Sequence, residues 1–572
     1  MKKKIFLLFL TAGLVLLSRP FSFAQQTPGE IVGGQERIRE QQAEQESLRK
    51  KAEEKKEPAE IEEQLPQEPV LPPSQEKVMV RDIRVTDARL VPEAEINSIT
   101  AGFEGRELTL PDMQKAADLI TNAYRKKGYV TSRAYLPPQK IESGILEIRV
   151  LEGLMGDVEI KGNRYFSARL LRSKITLDKN EPFNYDTLRK DLVRINRNPD
   201  RYARAVLLPG KEEAQTDVIL EVKDRLPIHA GFDYDNFGSR YIGKDRYTGT
   251  LSHANLFGFD DNLSFQYQLA QHSRYYYKSV RYSAPVAPDA NAGLYAAFSR
   301  VKLGEEFEDS DVRGKSKLYG VFADKSLIDG ERLSLTLNLG FDYKDITNYQ
   351  LQTVSSTDRL RVLRTGLNMD LSDEWGRTII TQELDFGIPD IMGGLRRQDD
   401  KASRSGAGGK FNKNTVNLLR LQKLPLDATL LWKNQIQTSP YILTSIEQFQ
   451  IGGISNVRGY PPAEAVGDSG YSTTAELTFP AYFIPKDVNV PFSRAKMYDA
   501  LRFAMFYDWA NARLRRPSAT EEKDKTLRGA GWGVRFNLPE NFSIRFDMAW
   551  PLDNTPSDSD HMHPWIQVSK GF

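Results

Sequence analysis

The chain contains no cysteine among its 572 residues. Disulfide staples, thiol nucleophiles and cysteine-ligated zinc centres are therefore excluded. Histidine is scarce, with five in all. The one close pair, His561-Met562-His563, reads as lumen or surface decoration without carboxylate or cysteine company. No G-x-x-x-x-G-K-[ST] phosphate loop is present, so no nucleotide-driven energy source is legible. No Ser/His/Asp grouping points to acyl-transfer chemistry; the chain is expected not to be an enzyme and to need no cofactor and no metal. An excess of one charge is missing too: 79 Lys and Arg face 77 Asp and Glu, which gives no bulk attraction to nucleic acid. No run of about 18 apolar residues occurs, and at 27% charged residues the chain is too polar for a bundle of membrane helices.

What is present begins with an export signal. Lys2, Lys3 and Lys4 precede an apolar run over residues 5–17, and Ser22-Phe23-Ala24 makes a small-x-small cleavage site, so residues 1–24 are expected to be a signal peptide. An exported chain without apolar helices can span a membrane only as a closed barrel. Residues 25–76 are polar. Within them, 35–56 are rich in Glu, Gln, Lys and Arg without an apolar stripe, which suits either a solvated helix or disorder. Pro58, Pro66, Pro69, Pro72 and Pro73 then make a stiff linker.

A β-α-α-β-β order follows over residues 77–153. Strands are expected at 78–85, 129–136 and 144–151, and helices at 92–100 and after Pro111, where Met113, Ala116, Ala117, Ile120 and Ala123 form one face. The order repeats over 154–225, with strands at 156–161, 202–208 and 216–222 and helices at 167–174 and 185–195. A repeated supersecondary unit is an organisational signal in its own right. An exposed strand edge beside a helix can accept an extended peptide. The candidate edges are 129–136, with Tyr129 and Val130, and 202–208, with Tyr202, Ala203 and Arg204.

From residue 226 to 572 the helical period gives way to period two. Leu333, Leu335, Leu337, Leu339, Phe341 and Tyr343 alternate with Ser334, Thr336, Asn338, Gly340, Asp342 and Lys344. That alternation outlasts a soluble strand of about five or six residues and suits a tilted strand crossing a bilayer, about 9–11 residues. At roughly 22 residues per strand and connection, this region holds about 16 antiparallel strands, an even number as closure favours.

Within it, Gly452–Tyr460 reads GGISNVRGY, one arginine in a glycine-rich connection after a strand ending near Gln450. Such a loop can fold back into its own barrel. Alternation along LRFAMFYDWANA turns Leu501, Phe503, Met505, Tyr507 and Trp509 to lipid and Arg502, Ala504, Phe506, Asp508 and Ala510 to the lumen. An Arg458–Asp508 pair is expected to pin the loop, contributing about 0.2–1 kcal/mol in a wet lumen and more where shielded. Pairing of Asp508 with Arg502 or Arg545 is the competing arrangement.

This order resembles the haemolysin and filamentous haemagglutinin secretion/activation proteins, the outer-membrane transporters of two-partner secretion in the POTRA-plus-barrel superfamily. The resemblance rests on Val457-Arg458-Gly459-Tyr460 (the tip of the sixth surface loop in that family), on the preceding FQIGG, and on Phe506-Tyr507-Asp508-Trp509-Ala510, similar to a strand motif F-x-D-x-G whose aspartate meets the loop arginine. Here Ala510 stands where the family has glycine. Residues 233–261 resemble the first barrel hairpin and 545–552 the penultimate strand. The resemblance implies two periplasmic POTRA domains, a barrel in the bacterial outer membrane, and residues 35–56 as a lumen plug or a periplasmic tether. It implies a transporter that captures an unfolded adhesin- or haemolysin-like exoprotein, carrying an N-terminal secretion domain, and passes it to the cell surface. The implied partners are that exoprotein, outer-membrane lipid and the barrel assembly machinery for its own insertion. An outer-membrane protein assembly or insertion factor is the alternative.

Overall fold

The computed structural model describes residues 28–53, 60–63, 76–141, 143–519, 521–553 and 555–572. The expected signal peptide and the linker prolines lie outside the described residues.

Helix α1, Pro28–Glu53, is followed by a three-residue strand β1, Ile61–Glu63. Two small α+β units come next. In the first, β2 (Lys77–Val80), β3 (Asp82–Thr86), α2 (Glu93–Thr100), β4 (Arg106–Thr109), α3 (Leu110–Lys126), β5 (Arg133–Tyr135) and β6 (Ile145–Leu151) follow in order. The expected strand over 78–85 is thus split, and β2 pairs with β4 while β3 joins the sheet β3-β6-β5. Thr109 starts α3: its hydroxyl accepts from the Asp112 amide, and the Asp112 carboxylate accepts from the Thr109 amide, a capping box that satisfies two orphan donors. The face anticipated from sequence packs inward, with Ala116, Ala117 and Ile120 inaccessible to solvent.

The second unit holds β7 (Leu154–Lys161), α4 (Ala168–Arg172), α5 (Tyr185–Ile195), β8 (Arg201–Pro209) and β9 (Gln215–Asp224). Its sheet has the same internal order as the first, with the last strand between the other two: β7 runs parallel to β9 and β8 antiparallel to it. A fourth strand is added, because β1 lies along the outer edge of β8.

Sixteen strands then close an antiparallel barrel, from Ile228–Asp235 to His563–Gly571, with Tyr234 opposite Val568 at the seam. The strand starting at Leu333 runs 18 residues, to Gln350. Its alternation faces as expected: Leu339 is 50% exposed on the outside, whereas Asp342 and Lys344 are buried inside. Leu294, Val321 and Met505 extend the outward apolar surface. Connections are short at one end, such as residues 330–332, and long at the other, such as 388–410. The short-turn end docks the second α+β unit through Arg189 on Glu331 at 2.7 Å and through Arg201 and Lys174, both on Asp260, at 2.5 and 2.6 Å.

A lipid-facing arginine near the bilayer midplane of such a barrel costs about 2–4 kcal/mol. Leu339→Arg is expected to lower the heat-modifiable, folded fraction on semi-native gels, whereas Asn338→Arg, one residue away and facing the lumen, is expected to leave it near wild type.

Candidate functional site

The barrel lumen is occupied by two pieces of the chain. The first is α1. α1 buries Ile31 and Val32 near one end and Leu48 and Ala52 near the other, and the largely polar stretch between them finds its partners in a polar tube. Arg246 donates to Gln42 at 2.7 Å, Asn417 to Glu44 at 2.7 Å and Gln45 to Asn417 at 3.1 Å. The Arg39 guanidinium lies 3.7 Å over the Tyr277 ring. Towards the short-turn end, Leu48 and Ala52 meet Ile379, Leu419 and Leu431. Of the two arrangements left open for residues 35–56, the part described here, to Glu53, lies in the lumen.

The second is the connection over residues 439–468. The strand expected to end near Gln450 ends instead at Thr438. Phe449–Ile451 is a separate strand paired with Ala465–Gly467 inside the barrel. Phe449, Gln450 and Ile451 are all buried, so no face of this segment is left for lipid. Gly452 and Gly453 turn the chain with φ of +106° and +83°, values that glycine adopts without steric cost. Asn456 clamps the turn by accepting from the Gly452 and Val457 amides at 2.7 and 2.8 Å and donating to the Gln450 carbonyl.

The tip then reaches the wall. Arg458 Nε and Nη2 donate to Asp508 at 2.8 and 2.9 Å, a bidentate fork, and the Arg458 amide donates to the same carboxylate. Nη1 donates to Glu476 at 2.6 Å and lies 3.6 Å from Asp547. The guanidinium rests 3.3 Å over the Phe506 ring. Arg535 bridges Glu476 and Asp547, both at 2.7 Å, and Arg545 meets Asp547 at 2.7 Å. Three arginines and three carboxylates therefore form one neutral cluster with Arg458 only 2% exposed. Neither Arg502 nor Arg545 takes Asp508: Arg502 donates to the Asp427 carbonyl. The wet-lumen magnitude anticipated from sequence does not apply, because removing one partner of a buried pair costs about 3–5 kcal/mol.

The neighbours of Arg458 are held as closely. Trp565 Nε1 donates to the Arg458 carbonyl at 2.8 Å. A Cβ on Gly459 would lie 2.5 Å from the Trp550 carbonyl oxygen, so glycine is required there. Val457 and Tyr460 pack with Phe449, Ala510 and Leu527. Ala510 is wholly buried in that cluster, and its methyl group is accommodated where glycine stands in the family motif.

Sequence reasoning missed Glu476, Arg535 and Asp547 as members of this cluster. Alternation could have found Glu476, which follows Ser472 and Thr474 on the inward face of its strand. It also missed a second clamp at the stem of the same connection: Glu447 accepts from Lys344 at 2.8 Å and from Lys413 at 2.5 Å. The plug touches that stem, as Gln450 donates to the Gly34 carbonyl and Arg37 donates to the Gln448 carbonyl. His563 does have carboxylate company, with Nε2 3.1 Å from Asp558.

The strand-edge residues divide. Tyr129 and Val130 are not in a strand. The Tyr129 amide caps α3 by donating to the Tyr124 carbonyl, and its own carbonyl accepts from the Ser132 amide. Val130 packs against the second unit's core. That segment joins the two units, and the remaining edge strand, β5, is three residues long. Tyr202, Ala203 and Arg204 lie on β8 as expected. Ala203 faces the core, whereas the Arg204 side chain meets Glu221 and Glu62. The β8 edge is not open from Ala205 to Leu207, where β1 pairs with it.

A closed sixteen-stranded barrel with tandem α+β units before it, a helix in its lumen and a loop arginine seated on its inner wall defines an outer-membrane transporter of the POTRA-plus-barrel class. Residues 214–536 match the family described as haemolysin secretion/activation protein ShlB/FhaC/HecB, and residues 78–153 match the ShlB-type POTRA domain. The chain belongs to that haemolysin secretion/activation family. It is similar to the heme/hemopexin transporter protein HuxB of Haemophilus influenzae (strain 86-028NP), 24% identical over 490 residues covering 84% of each chain. It is also similar to the outer membrane transporter CdiB of Dickeya dadantii (strain 3937), 25% identical over 431 residues, 73% of this chain and 75% of the other. The solved structure of CdiB from Escherichia coli shares the fold, with a TM-score of 0.73 at 21% identity over 96% of this chain and all of that one. The barrel lies in the outer membrane and the POTRA units in the periplasm.

Asp508→Ala is expected to unseat the loop by leaving Arg458 buried beside an incomplete set of carboxylates. A Val457→Cys reporter, free of background because the chain has no other cysteine, is expected to react with maleimide slowly alone and much faster with Asp508→Ala.

Proposed function

We propose that this transporter captures an unfolded adhesin- or haemolysin-like exoprotein by its N-terminal secretion domain, on a POTRA strand edge, and passes it through the barrel once α1 has left. The observation that carries this reading is the double occupation of one polar lumen. A passive pore has no use for a resident helix and a resident loop, whereas a conduit for a polypeptide must be closed until its cargo arrives. The contacts along the middle of α1 are mostly hydrogen bonds and ion pairs that water can replace, each at little cost, and its apolar contacts are made by Ile31 and Val32 near one end and Leu48 and Ala52 near the other.

The loop bearing Arg458 is the fixed element in this scheme. Val457, Arg458, Gly459 and Tyr460 form its tip, and Phe506, Asp508 and Ala510 its seat. No bound cofactor or nucleotide enters the scheme, which has no catalytic step, and folding of the exoprotein outside the cell supplies the direction of transport. Outer-membrane lipid around the apolar outer band and the barrel assembly machinery during biogenesis are the other partners in this reading. Nucleic acid is not one of them.

Two measurements test it. Deleting the gene is expected to remove one large exoprotein from the culture supernatant while other barrel proteins keep their levels in the outer-membrane proteome. A joint fall of many barrel proteins would instead indicate an insertion factor. Arg458→Ala is expected to insert at wild-type abundance, scored by heat-modifiable mobility, and to secrete poorly; normal secretion by that variant would sink the role of Arg458 in fixing the loop.

A further inference from the structure

We propose that the outer wall of the barrel carries a headgroup-binding site for a glycolipid of the outer leaflet that bears two or more phosphates. The site is a patch of cations on three neighbouring strands: Lys278, Arg300, Lys302, Arg313, Lys315 and Lys317. It does not depend on the secretion reading above.

The strands are Tyr275–Ala287, Ala290–Lys302 and Arg313–Asp329. On the third, Arg313, Lys315, Lys317, Tyr319 and Val321 are exposed at alternate positions, and the residues between them are buried. Val321, 57% exposed, belongs to the apolar outer surface, so the three cations on its row also point outward. Register sets Phe298 beside Lys317, Arg300 beside Lys315 and Lys302 beside Arg313. Lys278 lies beside Phe298 on its other side. Lys302 and Arg313 flank the connection over 303–312, at the end of the barrel away from the short turn at 330–332. The POTRA units dock at the short-turn end, so the patch is at the cell surface.

Its depth follows from strand geometry. Phe298, Tyr319 and Tyr343 make a row of ring contacts, with centroids 5.6 and 6.1 Å apart, and outward aromatic rings mark the membrane–water boundary. Two residues advance a strand by about 6.8 Å, or about 5 Å in height at a tilt near 45°. Lys317, Lys315 and Arg313 thus stand roughly 5, 10 and 15 Å above the ring row. The polar layer of one leaflet in a simple bilayer is about 5–7 Å deep. The single phosphate of a simple phospholipid therefore reaches only the lowest cations. A sugar headgroup with phosphates at separate positions reaches the upper ones as well.

Charge points to the same ligand. Like charges directly opposite each other destabilise a ladder, yet Arg300 faces Lys315 and Lys302 faces Arg313. The nearby carboxylates are taken. Asp311 accepts from Arg313 at 2.6 Å, and Asp345, opposite Lys317, accepts from Arg361 at 2.9 Å. Lys278 and Lys315 lie over the rings of Phe298 and Tyr349. Among the described residues, the side chains of Arg300, Lys302 and Lys317 make no hydrogen bond or ion pair. A phosphate accepts from Arg in a fork and from Lys as a point charge. Phosphates seated between the strands turn two repulsive pairs into two bridges.

The test uses the full-length protein purified in dodecyl maltoside, with lipid added back. Binding is read by native mass spectrometry, and stability by the temperature at which heat-modifiable mobility is lost. Two variants are compared with wild type: Arg300→Gln/Lys302→Gln/Lys315→Gln/Lys317→Gln, and the charge-keeping Arg300→Lys/Lys302→Arg/Lys315→Arg/Lys317→Arg. Diphosphoryl lipid A is expected to bind wild type and the charge-keeping variant alike, and the glutamine variant several-fold less. Monophosphoryl lipid A and phosphatidylglycerol are each expected to bind wild type several-fold less than the diphosphoryl form. Without lipid, the glutamine variant is expected to keep its mobility to a temperature at least as high as wild type, and diphosphoryl lipid A is expected to raise wild type above it. Equal binding of diphosphoryl lipid A by the glutamine variant and wild type overturns the proposal. So does displacement of that lipid by millimolar inorganic phosphate, which marks a free-anion site only. If the glutamine variant does not fold, Arg300→Gln/Lys317→Gln removes two of the unpartnered cations and is judged by the same measurements.

Discussion

A guanidinium taken out of water is affordable only when every donor finds an acceptor, and the seating of Arg458 is organised by that requirement. Its burial would cost several kcal/mol uncompensated. Asp508 takes two donors in a fork, Glu476 takes a third, and Phe506 offers its ring face. Arg535 then joins Glu476 to Asp547, and Arg545 also pairs with Asp547. The cluster fixes the tip of a connection that would otherwise lie at the surface. With the tip fixed, the paired strands at Phe449–Ile451 and Ala465–Gly467 stay in the lumen, where the Gln450 side chain donates to the Gly34 carbonyl of the plug and the adjoining Gln448 carbonyl accepts from Arg37.

The two lumen occupants differ in kind. The loop is held by a buried, mutually dependent set of charges plus the apolar cluster of Val457, Tyr460, Phe449 and Ala510. Removing any member leaves a buried charge without its partner, so the loop resists partial release. Along its middle the plug is held mostly by single hydrogen bonds, such as Arg246 on Gln42 and Asn417 on Glu44, each of which water can replace. Its contacts at Gly34 and Arg37 fall on the stem of the loop rather than on the tip.

The period-two pattern made the barrel legible, because a strand with lipid on one side and water on the other has no freedom to break alternation over a dozen residues. The same rule gave Asp508 its inward direction. It failed at Phe449–Ile451, where the segment is buried on all sides and alternation carries no information about which side is wet. It failed differently at Tyr129 and Val130: their apolar character fits a strand, but the Tyr129 amide was already committed to closing α3 and the Val130 side chain to the neighbouring unit. Glu476 and Arg535 were hidden because one inward-facing charge in a lumen resembles another until the strands are set in register. β1 had no signal at all, since one isoleucine among glutamates has no period.

The largely polar middle of α1 follows from the work a conduit has to do. An apolar plug would gain about 25 cal/mol for each Å² of apolar surface it buries, and all of it would have to be returned when the plug left for the periplasm. It would also leave a dry wall that a hydrated, unfolded polypeptide could not cross without losing its own hydrogen bonds. A wall that satisfies α1 with Asn417, Arg246 and Gln437 offers the same groups to water or to a passing backbone once α1 is gone.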